Sequence, residues 1–170
     1  MKKVIIFIVI AALVLTVTPA LIYAENGPVE KATGSITIWN EDGSNYWEVE
    51  FNAHEGNDSK EAKGKLKINA IYADGSPKRE FEYDVGYVRV EPNGQAHFGA
   101  YCYSDSWDTL DGSWFYVQVI DGGTPGTAGD KLGWKWGTTV ESVVASWVSS
   151  GVSTNLRLVT DGNLVVHLYE

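Results

Sequence analysis

The chain has 170 residues, with 22 Asp and Glu against 13 Lys and Arg, one Cys, 18 Gly and seven Trp. A formal charge of −9 argues against a nucleic-acid partner, because that recognition rests on Lys and Arg neutralising phosphates. The single Cys excludes an intramolecular disulfide framework and a Cys-rich zinc site.

Met1 to Ala24 differs from the rest. Lys2 and Lys3 precede an unbroken apolar run, Val4 to Leu15, and Thr16, Thr18 and Pro19 then lead to Ala24 before Glu25. This is the pattern of a secretory signal peptide. If it were retained, Val4 to Ala24 would be just long enough to anchor the chain in a membrane, which takes about 20 residues. No Cys lies near the cleavage position, so a lipid anchor is not supported. Cleavage leaves 146 residues with 11 Lys and Arg against 22 Asp and Glu, a charge of −11. A domain of that size buries roughly 68–70% of its unfolded surface, enough for a core without disulfide staples.

Residues 25–33 read as a polar linker and 34–170 as one domain. Ser35 to Trp39 reads as a strand and Glu41 to Asn45 as a turn. Tyr46 to Ala53 alternates, with Trp47, Val49, Phe51 and Ala53 on one face and Glu48, Glu50 and Asn52 on the other. After a polar stretch from His54 to Ala62, Gly64 to Tyr72 alternates again, and its Lys65 and Lys67 are expected opposite Glu48 and Glu50. Ala73 to Pro77 is a turn cluster. Arg79 to Val90 forms a long strand whose apolar phase breaks at Gly86, the sign of a bulge. Ala96 to Tyr103 and Trp114 to Ile120 follow, separated by a loop from Ser104 to Ser113. A Gly-rich loop spans Asp121 to Asp130, and Leu132, Trp134 and Trp136 mark another strand. Val140, Val143, Val144, Trp147 and Val148 then recur at helical spacing, with Thr138 or Thr139 as cap and Gly151 as stop. Leu156 to Thr160 and Asn163 to Tyr169, joined by Asp161-Gly162, read as a hairpin.

The sum is an all-β fold of about nine antiparallel strands, a barrel or a sandwich, with one short C-terminal α-helix before the final hairpin. In a meander, the loops at 54–62, 91–95 and 121–130 share one end. The connections at 41–45, 73–78 and 104–113 share the other. Asp111 and Asp121 then lie roughly 30 Å apart at about 3.3 Å per residue, too far to build one site.

Three segments carry a resemblance. They are Val119-Ile120-Asp121-Gly122-Gly123-Thr124-Pro125-Gly126 with Gly129-Asp130, Trp134 and Trp136; Glu50 to Glu55; and Asp161 to His167. Together they resemble a family of secreted prokaryotic β-domains that share a VxDGGTPGxxGD-type loop and occur singly or within surface proteins. The resemblance implies an exported β-domain and brings no chemistry that could be transferred.

Two features could carry function. The first is the loop bracketed by Asp121 and Asp130, near Glu55, Asp58, Glu61 and Asn93. It offers the carboxylates and backbone carbonyls that calcium takes, although the same residues suit a plain turn. The second is aromatic. Trp107 and Trp114, in or beside one loop and near Tyr101 and Tyr103, could stack on sugar rings, while Trp47, Trp134 and Trp136 fall in the apolar phase. Cys102 reads as a small buried hydrophobe. His54, His97 and His167 lie on separate segments, and neither HExxH, G-x-S-x-G, a Walker loop nor a Rossmann fingerprint occurs. The expected role is therefore a secreted, non-enzymatic binding or structural module, with Ca2+ as a candidate stabiliser. The alternative is a carbohydrate-binding module. A partner would be an extracellular glycan or cell-surface component, and a membrane only if residues 4–24 stay attached.

Overall fold

The computed structural model describes residues 30–56, 62–123, 128–138 and 140–168. The expected leader and most of the expected linker lie outside them. Among the described residues no helix is long and apolar enough to cross a membrane. Nine antiparallel strands form one curled, barrel-like sheet. They are β1 (Lys31–Trp39), β2 (Asn45–His54), β3 (Lys63–Tyr72), β4 (Pro77–Glu91), β5 (Gln95–Asp105), β6 (Trp114–Ile120), β7 (Lys131–Thr138), β8 (Arg157–Leu158) and β9 (Asp161–His167). A single helix among the described residues, α1 (Glu141–Ser150), lies between β7 and β8. The spatial order is β8-β7-β6-β5-β4-β3-β2-β1-β9, so the all-β expectation holds and the barrel-like alternative is the one observed.

Alternation sets the inner face. Val49, Phe51, Leu66, Ile68, Phe81, Tyr83, Phe98, Phe115 and Val117 point inward and are buried together. Their aromatic rings meet across strands: Phe51 and Phe98 are 5.4 Å apart, Tyr83 and Phe115 5.2 Å. Trp47 on β2 meets Trp134 on β7 edge-on at 5.3 Å, and the Arg157 guanidinium lies over both rings. The phase break at Gly86 is a register shift between Val85 and Tyr87. It puts Val88 and Val90 back on the inner face and Tyr87 and Arg89 on the outer one.

The structure departs from expectation in four places. First, β1 starts at Lys31, so the last three residues of the expected linker are strand, paired with both β2 and β9. Second, the two strands expected at Leu156–Thr160 and Asn163–Tyr169, of which Tyr169 lies outside the described residues, do not pair with each other as a hairpin. Arg157 and Leu158 pair with Leu132 and Lys131 of β7, whereas β9 pairs with β1. Between them the Val159 N–H donates to the Asp130 carbonyl at 3.0 Å and the Thr160 N–H to the Thr37 carbonyl at 2.9 Å. One run of chain thus serves both edges of the curled sheet. A hairpin could have covered only one of the β1 and β7 edges, and an unpaired edge carries unsatisfied backbone groups. Third, the helix is capped by Val140 with no side-chain hydrogen bond, not by a threonine. Val144 and Val148 are buried while Val140 and Val143 are exposed. Fourth, the lysines of β3 pair forward. Lys65 contacts Asp84 at 2.5 Å, and Lys67 contacts Glu80 at 2.5 Å and Glu82 at 3.8 Å. Register does set Lys67 opposite Glu50, but β4 offers acids on its other side. These pairs are solvent-exposed and screened, so they add little to stability.

The helix covers the outer face of β4 to β6. It comes closest at Gly99, where a Cβ would stand 2.6 Å from Val144 Cγ1. Tyr116 is buried beneath it with Val144 and Val148. At the far end Gly151 takes the left-handed φ of 64° that stops the helix, and its N–H returns to the Val148 carbonyl.

Candidate functional site: an outer aromatic face

The bulge at Gly86 builds the first surface. A Cβ there would lie 2.8 Å from Trp114 Cη2, so the missing side chain lets the indole settle over β4. Register pairs Asp84 with Tyr101 and Tyr101 with Trp114. Three rings result in a row: Tyr87 is 5.4 Å from Trp114, and Tyr101 meets Trp114 edge-on at 5.8 Å. Tyr101 stays 39% exposed. Tyr103, two residues on, is also exposed. Its hydroxyl donates to Glu82 at 3.0 Å, and Lys65 Nζ lies 4.6 Å from its ring centre.

Polar groups ring these aromatics. Asp84 holds Lys65, and that hydrogen bond raises the lysine pKa. The Tyr87 hydroxyl donates to Glu141 at 2.6 Å, and the carboxylate raises its pKa. Burial, then Glu82, raises that of Tyr103. The Tyr87 and Tyr103 phenols therefore keep their protons and donate them to Glu141 and Glu82.

Trp107 belongs to a different surface. Asp105 organises the β5–β6 loop by accepting the N–H groups of Trp107, Thr109 and Leu110 at 3.1, 3.0 and 2.9 Å. Arg79 reaches the same carboxylate, and its guanidinium lies 4.6 Å from the Phe81 ring centre and 4.5 Å from that of Trp107. Trp107 thus covers a plugged barrel mouth, 52% exposed, with Arg79 against its ring. The structure does not bring Trp107 and Trp114 together. Trp114 keeps its expected neighbour Tyr101 and gains Tyr87. Tyr101, already expected beside Trp114, alternates out of phase with buried Ala100 and Cys102. Tyr87 becomes an outer residue only through the bulge.

The acidic loop is the third feature. Asp121 accepts the Gly123 N–H at 2.7 Å and, from β9, the Val166 N–H at 2.9 Å. Asp130 is fully buried and accepts the Gly122 N–H at 2.8 Å through Oδ1. Its Oδ2 is buried without a hydrogen-bond partner among the described residues. Asp121 and Asp130 thus meet at Gly122, with residues 124–127 outside the described set. Of the other acids expected near this end, Glu55 accepts the Val90 N–H at 3.2 Å, while Asp58 and Glu61 lie outside the described residues. Among those described, no group of three or more His, Cys, Asp or Glu is placed to hold a metal. Cys102 is buried as expected, and burial pushes its thiol up to about 11. It faces inward while His97 faces outward, so β5 separates them. The side chain of Trp136 lies outside the described residues.

Comparison of the chain with protein-family models, curated proteins and solved structures finds no match.

Proposed function

We propose that the chain is an exported, non-enzymatic binding module that holds a carbohydrate on the outer face of β4 to β6 beside α1, where Tyr101 is exposed. The carrying observation is the exposed Tyr101 ring standing against Trp114, fixed by strand register and fringed by Asp84, Glu82, Lys65 and Glu141. Ring faces of this kind meet the C–H faces of a pyranose, while flanking carboxylates accept from its hydroxyls. The acidic surface and a net charge of −9 favour neutral sugars over uronates. Export rests on the Met1 to Ala24 leader pattern. The non-enzymatic reading rests on the separation of Cys102 from His97 and on the protonated phenols. Titrating residues 25–170 with neutral oligosaccharides should change the tryptophan fluorescence. Tyr101→Ala and Trp114→Ala should each weaken binding by about tenfold or more, and turnover of any sugar would contradict the non-enzymatic reading.

A second reading, calcium stabilisation through Asp121 and Asp130, is supported by the buried Oδ2 of Asp130, which has no hydrogen-bond partner among the described residues. It requires the midpoint of thermal unfolding to rise with calcium and fall with chelator. No shift would reduce the loop to turn chemistry.

A further inference from the structure

A second polar cluster lies on the same outer face, under the C-terminal end of α1. At its centre is His97, 1% exposed. Its Nδ1 is 2.8 Å from the Tyr116 hydroxyl oxygen, which is 2.5 Å from the Val152 carbonyl. A carbonyl only accepts, and a phenol has one hydrogen to give. That hydrogen goes to Val152, so His97 Nδ1 carries a proton and donates to Tyr116. The neutral ring then leaves Nε2 bare, and Nε2 makes no hydrogen bond. It lies 3.4 Å from Glu91 Oε1, the same oxygen that lies 3.1 Å from Arg89 Nη2. Arg89 in turn donates through Nη1 to the Ser149 carbonyl in the last turn of α1. Gly151 closes the chamber, because a Cβ there would stand 2.9 Å from Glu91 Oε1 and 3.5 Å from His97 Nε2.

We propose that this cluster is a proton-operated latch: protonation of His97 at Nε2 frees the C-terminal end of α1 from the barrel. Only Nε2 can take the proton, which comes from solvent. The new N–H competes with Arg89 for Glu91 Oε1, and Arg89 is the side chain that holds the Ser149 carbonyl. Two positive groups then share one carboxylate, and one of them is a buried imidazole. From β4 the ring is faced by Arg89 and Glu91, and from β6 by Tyr116. The helix and its return segment contribute the Ser149 and Val152 carbonyls, and Glu55 on the β2 side faces Arg89. Burial holds the His97 pKa below the usual 6.5, with Glu91 pulling the other way and Arg89 adding to the depression.

The sign follows. The unfolded chain takes its proton near pH 6.5 and the folded chain only at lower pH. The stability given by neutral His97 is therefore full above about pH 6.5 and is lost as pH falls toward the folded value. The helix has room to lift, since a groove of about 470 Å³ lined by Glu55, Tyr87, Arg89, Ala145 and Val148 lies between it and β4. At its other end Glu141 accepts from Tyr87, next to Trp114. Coupling to ligand binding rests on the proposed function, whereas the latch itself does not.

Amide exchange of Gly151 and Val152, whose N–H groups bond to Val148 and Trp147, tests the latch on residues 25–170 without any ligand. After correction for intrinsic rates, opening should rise severalfold as pH falls from 7 to 5. His97→Asn keeps a donor toward Tyr116 and lacks Nε2, and it should abolish that rise. An equal rise in the variant would overturn the latch. So would a wild-type His97 ring that titrates above pH 6.5 by NMR, a measurement that decides the matter even if the variant does not fold.

Discussion

The Arg79 guanidinium meets the Asp105 carboxylate through two hydrogen bonds, Nε to Oδ1 at 2.8 Å and Nη2 to Oδ2 at 2.5 Å. Asp105 is buried, and the same carboxylate organises the loop that carries Trp107. The Arg79 hydrogen bonds hold its pKa far below the usual carboxylate range, helped by the N–H groups of Trp107 and Leu110. Removing one partner of a buried pair costs about 3–5 kcal/mol, so Asp105→Ala should lower stability by that order in chemical denaturation. A depressed folded pKa contributes stability that is present above the unfolded value and lost as pH falls below it. The wild type should therefore lose stability below about pH 4, and Asp105→Asn should flatten that slope.

Gly99 sets how closely α1 seats on β5. Alanine there would drive a Cβ to 2.6 Å from Val144 Cγ1, so either the helix or the strand must shift. Gly99→Ala should cost about 1–3 kcal/mol, as overpacking does. The emission of Trp147, which meets Tyr116 edge-on at 5.9 Å, should change with it. Unaltered stability and emission would mean that the helix seats loosely on the barrel.

The separation of the two tryptophans makes a direct contrast. Trp107→Ala should leave oligosaccharide affinity unchanged, because Trp107 lies on Arg79 at the barrel mouth. Tyr101→Ala should weaken affinity by about tenfold or more, equivalent to about 1.4 kcal/mol. Calorimetric titration of both variants measures this. The reverse pattern would move the binding site to the mouth.

Asp121 joins the β6 end to β9. Asp121→Ala removes hydrogen bonds to Gly123 and Val166, and bonds to a charged group are worth about 1.5–3 kcal/mol when buried. Amide exchange at Val166 should accelerate, while amides in the middle of β3 should not respond beyond the global loss of stability.

Strand positions were legible because alternation is a local signal: β6 runs over the expected residues, and the break at Gly86 marks the bulge. The partners of β8 and β9 were not. Asp161-Gly162 carries turn chemistry, yet which strand each side joins depends on both edges of a curled sheet meeting, and no local pattern reports that. Asp121 and Asp130 were rightly expected at one end, but the Gly122 amide between them comes from the path of the loop. Trp107 and Trp114 are seven residues apart, and only the wide turn around Asp105 sends them to different surfaces. His97 falls in the outer phase of β5, where a solvent-facing side chain is expected. A helix more than forty residues later buries it, and tertiary packing of that range leaves no trace around His97 itself.

The pairing of β1 with β9 places Lys31 beside His167. The polypeptide therefore enters and leaves the barrel at neighbouring points on the pole opposite the Trp107 loop and the Trp114 end of β6. Anything joined to either flank attaches at one pole, while the exposed aromatic rings point toward the other. With entry and exit side by side, the domain can be grafted into a surface loop of another protein without parting its strands.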